Sequence, residues 1–339
     1  MTSKDAETRF QELSETITGS KRLLILTHPQ PDPDTLASAF ALYKIARQLG
    51  QKATVFLSSE LGRPENKAMA KLLRIPLHNL PTNPPKGARA LVDTQPRAHA
   101  PKGSKEFNIV FDHHPLMKRT KKSRFWDVRP QCGACSTILT EYLFQAGIKP
   151  DRFLATALFY GIKTDVGELA RTLDASDIDA MKILFPYISV QLLNKIDRAR
   201  LPLEVFSALA TGLNRAVVYG KLIVTKLPKD SPPEIAALLA DLLLRNKGTK
   251  WSFCATEYKN RLYFSLRLLQ ARKRAGAIAE RLVGNRGSGG GHELSAGGFI
   301  PIDKESFDEL YSTLVERLTK ILKQDYASPK GFLTREPCG

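Results

Sequence analysis

Short apolar segments alternate with segments of helical periodicity through the first half of the chain. Four of the apolar segments are nearly continuous in hydrophobic residues, as is typical of buried strands: KRLLILTH, KATVFLS, ARALVDT and FNIVFDHH. The intervening segment TLASAFALYKIARQLG repeats apolar residues at helical spacing, and Gly50 indicates where that helix ends. The alternation predicts a parallel sheet covered by helices, in which sites form at the carboxyl ends of strands.

The second half of the 339-residue chain has a different pattern, so we expect two domains. Helical segments from about residue 175 to 213 precede a smaller α/β domain that contains the glycine-rich segment RGSGGGHELSAGGFI. From these changes in pattern we predict a first domain over 1–190, a helical linker over 191–213, a second domain over 214–326 and a loose tail over 327–339.

Composition limits the cellular setting and the class of partner. The sequence has no run of about 20 apolar residues that would span a membrane, and we expect that its acidic N-terminal segment is not a signal peptide. Four cysteines are too few for a disulfide scaffold, so we expect a reducing cytoplasm, and we interpret Cys132 and Cys135 as packing residues near a helix start.

The chain is basic, with 51 Lys and Arg against 34 Asp and Glu and a formal net charge of +17. This balance favours anionic partners such as nucleic acid, nucleotides or polyphosphate, although solubility alone explains it equally well. We interpret the basic run KRTKKSR, at 118–124, as a solvated loop.

Metal-binding residue types follow three of the apolar segments and one helix. They are His28, Asp32 and Asp34 at and after the end of KRLLILTH, Asp93 in ARALVDT, Asp112, His113 and His114 at the end of FNIVFDHH, and Asp165 after a helix. Carboxylates that converge at one edge of a sheet repel one another, and divalent cations remove that repulsion. Asp and His ligands without cysteine suit Mn²⁺ and, less exclusively, Mg²⁺, Zn²⁺ or Fe, and five or more such groups suggest two ions.

The first of these loops is rich in proline. Pro29, Pro31 and Pro33 predict an extended loop that directs Asp32 and Asp34 to its two sides. The alternative is that Asp34 only caps the following helix and that Asp32 only forms a turn.

Six motifs, in order, resemble those of the DHH superfamily of phosphoesterases. HPQPDPD, VDT, FDHH and GIKTDVGEL resemble its four phosphoesterase motifs, and SLR with GSGGGHELSAGG resembles the signature of the DHH-associated domain. The resemblance covers roughly residues 20–325 and is greatest to the nanoRNase or 3′-phosphoadenosine-5′-phosphate phosphatase type, which is related to RecJ but shorter. Gln30 and Pro33 replace the Asn and Gly that are common in the first motif, while both acids remain.

The resemblance implies a parallel-sheet phosphoesterase domain, a smaller α/β DHH-associated domain, and two Mn²⁺ ions, with Mg²⁺ or another divalent ion as the alternative. The implied ligands are His28 and Asp32 on one ion, Asp34, His113 and Asp165 on the other, and Asp93 between them. His114 would lie beside the scissile phosphate, and Asp112 would orient a histidine.

The glycine-rich segment and three arginines are candidates for substrate binding. Glycines leave backbone N–H groups uncovered, so that a phosphate can approach them closely, although glycine runs often form flexible loops instead. The candidates are Gly289, Gly290 and Gly291 with His292, and the arginines Arg97, Arg267 and Arg286.

The sequence therefore predicts a Mn²⁺-dependent phosphoesterase that hydrolyses short RNA or DNA oligonucleotides or nucleoside bisphosphates. Two alternatives stay open: an exopolyphosphatase or pyrophosphatase-like hydrolase, and a non-catalytic nucleotide- or RNA-binding protein. We expect no membrane partner, and a homodimer is plausible.

Overall fold

The structure, a computed structural model, describes residues 3–29, 31–96, 107–167, 173–270, 274–291 and 293–333. The chain divides into two compact units, Met1–Arg200 and Leu201–Gly339. The helices and strands of the first unit are α1 (Ser3–Thr18), β1 (Arg22–Leu26), α2 (Pro33–Gln48), β2 (Lys52–Leu57), α3 (Pro64–Leu72), β3 (Leu77–Asn79), β4 (Ala88–Val92), β5 (Ile109–Asp112), β6 (Phe125–Val128), α4 (Cys135–Gln145), α5 (Arg152–Asp165), α6 (Ala175–Leu184) and α7 (Val190–Asp197).

The first unit contains a six-stranded sheet in the order β3-β2-β1-β4-β5-β6, and every pairing in it is parallel. The predicted parallel sheet is confirmed. The chain adds strands outward in one direction up to β3 and then returns to place β4 on the other side of β1. The carboxyl ends of β1 and β4 therefore flank the point where the winding reverses, which is the usual site position in such sheets.

Side chains of the central strands alternate between the two faces of the sheet. Val92, Ile109 and Phe111 join the large core of the first unit. Leu91 and Val110 belong to a smaller apolar cluster. Because both sets are buried, the strands are apolar at consecutive positions, as the sequence shows.

The second unit is a mixed α/β structure. Its elements are α8 (Leu203–Asn214), β7 (Val217–Tyr219), β8 (Leu222–Lys226), α9 (Pro233–Leu244), β9 (Trp251–Tyr258), β10 (Arg261–Leu268), α10 (Ala275–Val283), β11 (Ser288–Gly291), β12 (Ser295–Pro301), α11 (Phe307–Leu322) and β13 (Lys330–Gly331). The seven strands have the order β11-β12-β10-β9-β8-β7-β13, with β8 and β9 parallel and the other pairs antiparallel. This confirms a second, smaller α/β domain.

Two segments at the limits of the second unit belong to its packed structure. Val205 and Ala208 of α8 pack in an apolar cluster with Ile223 and Leu239. Strand β13, within the segment that the sequence suggests is a loose tail, pairs with β7, so this part of the tail belongs to the sheet. Among the described residues, no helix combines the length and the apolar character that a membrane crossing requires.

Candidate metal centre

Three neighbouring strands, β1, β4 and β5, deliver the candidate ligands to the carboxyl edge of the sheet. The loop after β1 carries His28 and Asp32, β4 leads into Asp93, and β5 leads into His113 and His114. In three groups, one ligand atom per residue lies within 4.8 Å of the others. The groups are His28 with Asp32 and Asp93, Asp93 with His113 and His114, and Asp34 with His113 and Asp165.

The proline-rich loop is shorter than the sequence suggests. Helix α2 begins at Pro33, so the expectation that all three prolines lie in an extended loop is wrong: a proline at the first helical position sacrifices no hydrogen bond. Asp32 is the N-cap, and its Oδ1 accepts the Thr35 N–H at 2.9 Å. Asn66 of α3 donates to the Pro31 carbonyl at 2.8 Å, which holds the loop in place.

Asp34 caps a helix, but not the one that contains it. It lies in the first turn of α2 and is fully buried. Its carboxylate oxygens accept the backbone N–H groups of Cys135, at 2.6 Å, and Ser136, at 2.7 Å, which begin α4. The alternative that Asp34 only caps its own helix is therefore wrong. Burial, with repulsion from Asp93 and Asp165, raises the pKa of Asp34 well above its ordinary value.

Asp165 reaches the centre because α5 packs very closely on α2. A Cβ atom on Gly161 would lie 2.6 Å from Ser136 Oγ and 3.1 Å from the Asp34 Cα, so only glycine allows this approach. Asp165, one turn later on the same face and the last residue of α5, places its Oδ2 3.0 Å from His113 Nε2.

Asp93 lies between the candidate ligand groups. Its backbone has φ of 56°, in the left-handed region. Thr35 Oγ1 donates to its Oδ2 at 2.6 Å. Its buried Oδ1 has no hydrogen-bond partner among the described residues, and His113 Nε2 lies 3.4 Å from it. Burial alone would raise the pKa of Asp93, but His113 and His28 more than offset this and hold it well below its ordinary value.

The two histidines that flank Asp93 are strongly basic with only protein groups around them. Burial alone would lower the pKa of His28, but Asp93 and Asp32 outweigh it and raise the pKa to about 9. In the same way, Asp165 and Asp93 raise the pKa of His113 to about 12. Protons on imidazoles thus offset the carboxylate charge. A cation that binds these nitrogens must displace the protons.

The centre fits divalent cations. Its donors are carboxylate oxygens and imidazole nitrogens, which suit Mn²⁺, Mg²⁺ and related ions. A bound cation would satisfy the buried Asp93 Oδ1, which has no hydrogen-bond partner among the described residues.

Asp112 and, through it, Gln95, which the sequence analysis missed, support the second histidine. His114 Nδ1 lies 2.8 Å from Asp112 Oδ1. Gln95 Nε2 donates to Asp112 Oδ2 at 2.6 Å, and Gln95 Oε1 accepts from the Met117 backbone N–H and the Thr120 hydroxyl. The one signal in the sequence is the position of Gln95 in VDTQ, two residues after Asp93.

Asp177 is a second missed residue, and it holds the segment that orients His113. The Cys132 carbonyl lies 3.3 Å from His113 Nδ1. The fully buried Asp177 accepts the Gly133 N–H at 2.8 Å and the Thr137 hydroxyl at 2.5 Å. Nothing in the local sequence distinguishes Asp177 from a helix cap. The thiols of Cys132 and Cys135 are buried in the core, as packing residues are.

The predicted substrate-binding residues fall into two groups. Arg97 and His292 lie outside the described residues. The remaining candidates belong to the second unit, where Arg267 Nε donates to Asp241 at 2.6 Å and Arg286 pairs with Glu305. Their phosphate contacts stay a prediction.

The glycine run forms a strand, so the alternative of a flexible loop is wrong. Residues 288–291 are the edge strand β11, paired with β12. A Cβ atom on Gly289 would lie 2.8 Å from the Ala279 carbonyl oxygen, so α10 packs directly on this strand. Close packing of a helix therefore accounts for at least part of the glycine content.

Fold and site together define a doubly wound α/β protein with an Asp/His centre for divalent cations. Residues 22–162 match the DHH family, N-terminal domain, and residues 219–320 match the DHHA1 domain. The chain belongs to the DHH family and carries a C-terminal DHHA1 domain.

One curated relative is an uncharacterised protein of Methanocaldococcus jannaschii, 34% identical over 311 residues. The match covers 89% of this chain, and the chain spans 63% of that relative's length.

Solved structures share the fold. An exopolyphosphatase-related protein from Bacteroides fragilis has a TM-score of 0.71 at 14% identity, with 94% of this chain and 98% of that chain covered. RecJ from Thermus thermophilus in complex with Mn²⁺ has a TM-score of 0.58 at 17% identity, with 94% and 55% covered. Its complex with Mg²⁺ has a TM-score of 0.54 at 17% identity, with 94% and 52% covered.

Proposed function

We propose that the chain is a metal-dependent phosphoesterase that hydrolyses short RNA or DNA oligonucleotides or nucleoside bisphosphates. The observation that carries the proposal is that Asp93 belongs to two groups of candidate ligands. A buried carboxylate shared in this way is suited to bridge two divalent ions, a recurring arrangement for phosphate ester hydrolysis.

We assign one ion to His28, Asp32 and Asp93, and the other to Asp34, His113 and Asp165 with Asp93 between them. When bound, such cations act as Lewis acids that make a water molecule acidic enough to lose a proton near neutral pH. Mn²⁺ is our first choice because the donors are mixed carboxylate and imidazole, and both Mn²⁺ and Mg²⁺ bind to RecJ of the same fold.

His114 is the residue that we assign to the phosphate. Its side chain is 36% exposed, against 25% for His28 and 14% for Asp165, so a substrate can reach it. Because Asp112 engages Nδ1, Nε2 is the nitrogen that would contact a phosphate oxygen. A fixed imidazole at that position stabilises the charge that develops on the equatorial oxygens.

The test is a product time course with Mn²⁺ on labelled di-, tri- and longer oligonucleotides and on a nucleoside bisphosphate. We expect Asp165→Ala to lower the rate by at least about 100-fold, since it removes a proposed metal ligand rather than a residue that only hydrogen-bonds to a ligand. Asp179→Ala, at an exposed position of α6, is the matched control and should leave the rate unchanged. Hydrolysis no faster than that of Asp165→Ala, with either Mn²⁺ or Mg²⁺, contradicts the proposal.

Inorganic polyphosphate is the second candidate substrate, because a protein of the same fold is related to exopolyphosphatases. Competition between polyphosphate and an oligonucleotide in one assay separates the two. If the purified protein retains metal but hydrolyses neither, the non-catalytic nucleotide-binding alternative is the better description.

A further inference from the structure

We propose that residues 116–122, which we call the basic segment, bind the part of an oligonucleotide that lies beyond the cleaved phosphate. The inference rests on the proposed function and deepens it, because it selects oligonucleotides over nucleotides and polyphosphate. The segment connects β5 to β6 and begins two residues after His114.

The basic segment is attached to the candidate metal centre by its own hydrogen bonds. The Met117 N–H and the Thr120 hydroxyl both donate to Gln95 Oε1, at 2.8 and 2.7 Å. Gln95 in turn donates to Asp112, which binds His114. Three successive hydrogen bonds therefore separate the buried Thr120 from the imidazole assigned to the phosphate. A freely solvated loop would not have this anchor.

Exposed cations surround the anchor. Lys118 and Arg119 precede the fully buried Thr120, and Lys121 and Lys122 follow it, all four exposed. No ion pair within the described part of the chain involves Lys118, Lys121 or Lys122, whereas Lys44 and Lys226 pair with aspartates. Positive charge concentrated on a short anchored segment beside a phosphate-cleaving centre is suited to the phosphates of a polyanion.

Two apolar side chains favour nucleic acid over polyphosphate. Leu116 is 38% exposed and Met117 is 41% exposed, and along the chain both come after His114 and before the lysines. The faces of nucleobases are apolar enough to pack on such side chains, as in other single-strand-binding surfaces. Inorganic polyphosphate exposes only charged oxygens, so it gains no binding energy from these apolar side chains.

The test combines Lys118→Ala, Lys121→Ala and Lys122→Ala in one variant. Its matched control combines Lys21→Ala, Lys52→Ala and Lys71→Ala, since Lys21 and Lys52 lie at the amino ends of β1 and β2 and Lys71 lies in the last turn of α3. Binding of a labelled pentanucleotide is measured by anisotropy in the Asp165→Ala background, at several salt concentrations.

We expect the basic-segment variant to reduce the slope of log affinity against log salt by about 2, since each lost phosphate contact of a single strand contributes about 0.7. In the catalytically intact protein, the KM for the pentanucleotide should rise about tenfold, while kcat and the KM for a nucleoside bisphosphate stay unchanged. The control variant should behave like the unmodified protein.

An unchanged salt slope and an unchanged pentanucleotide KM would overturn the inference, and so would an equal rise in KM for the bisphosphate. Weaker binding of polyphosphate with oligonucleotide binding intact would overturn the choice of nucleic acid. If no substrate is hydrolysed but the slope still falls, the proposed function fails while the basic segment stands as a binding surface.

Discussion

Asp93 has a left-handed backbone, and this has a physical cost. A non-glycine residue in that region is destabilised by roughly 1–3 kcal/mol, and such residues persist where the surrounding structure holds them. Here the Asp93 N–H donates to the Phe111 carbonyl at 2.8 Å, which continues the pairing of β4 and β5 beyond the end of β4. The turn at Asp93 brings its carboxylate between His28 and His113. The strain is therefore located where the proposed function needs it.

Asp177 acts on the centre through the segment that it holds. It accepts hydrogen bonds from Gly133 and Thr137, on either side of the helix start that supplies N–H groups to Asp34. The carbonyl of Cys132, next to Gly133, faces His113. One buried carboxylate thus positions groups that contact two candidate ligands.

We expect Asp177→Asn to lower the affinity for Mn²⁺ by roughly tenfold. This is the low end of the loss that follows when a group that positions the metal ligands is replaced. The amide cannot accept on both sides, so a buried N–H or hydroxyl loses its partner. Isothermal titration calorimetry with Mn²⁺ measures the change. Asp174→Asn is the matched control, because it removes a charge three residues away while asparagine still caps α6. Equal affinities in the two variants would contradict the positioning role.

Helix α5 contributes to the centre through its distance from α2. Since Asp34 is at the start of α2 and Asp165 at the end of α5, the separation of the helices sets the separation of these carboxylates. Gly161 sets that separation, because atoms of the neighbouring helices occupy the space that a Cβ atom at this position would fill.

We expect Gly161→Ala to weaken Mn²⁺ binding and to destabilise the first unit by about 1–3 kcal/mol, the usual cost of overpacking. The better helix propensity of alanine, worth about 1 kcal/mol, offsets only part of this. Calorimetric Tm and Mn²⁺ titration measure the two effects. Gly147→Ala is an unsuitable control because its φ is positive, so Asp179→Ala, at an exposed position of α6, serves instead. A variant with higher Tm and full metal affinity would show that α5 has room to move.

The elements that could be predicted from the sequence are those that form because of their own residues, rather than because of contacts with residues far along the chain. The strands that lead to His28, Asp93 and His113 are apolar runs, and the rule for parallel sheets then places these residues together. The helix-capping role of Asp34 could not be predicted, because its partners are 101 and 102 residues away. The glycine strand β11 was missed for a different reason: its glycine content partly reflects close packing of the preceding helix α10, and a glycine-rich sequence does not distinguish such a strand from a loop.

Charge couples the candidate centre to the stability of the first unit. With only protein groups present, the pKa of Asp32 is raised to about 6, by burial and then by Asp93 and Asp165, and that of His28 to about 9. Both groups bind protons more tightly in the folded chain than in the unfolded chain. Their contribution is therefore fully present at low pH and is lost as pH rises through about 6 and then about 9. Asp93 has a lowered pKa and is ionised throughout this range, so its contribution to stability is constant and the stability still falls with rising pH.

A bound cation should reverse this loss. Deprotonated ligands bind metal more tightly, so Mn²⁺ affinity rises over the interval in which the chelated protein weakens. We expect the difference in Tm between Mn²⁺-loaded and chelator-treated protein to widen steadily from about pH 6 to about pH 9. Differential scanning calorimetry at several pH values measures it, with Asp165→Ala as the control in which the difference should shrink throughout. A difference that is constant or narrows with rising pH would mean that these protons are not the ones a cation displaces.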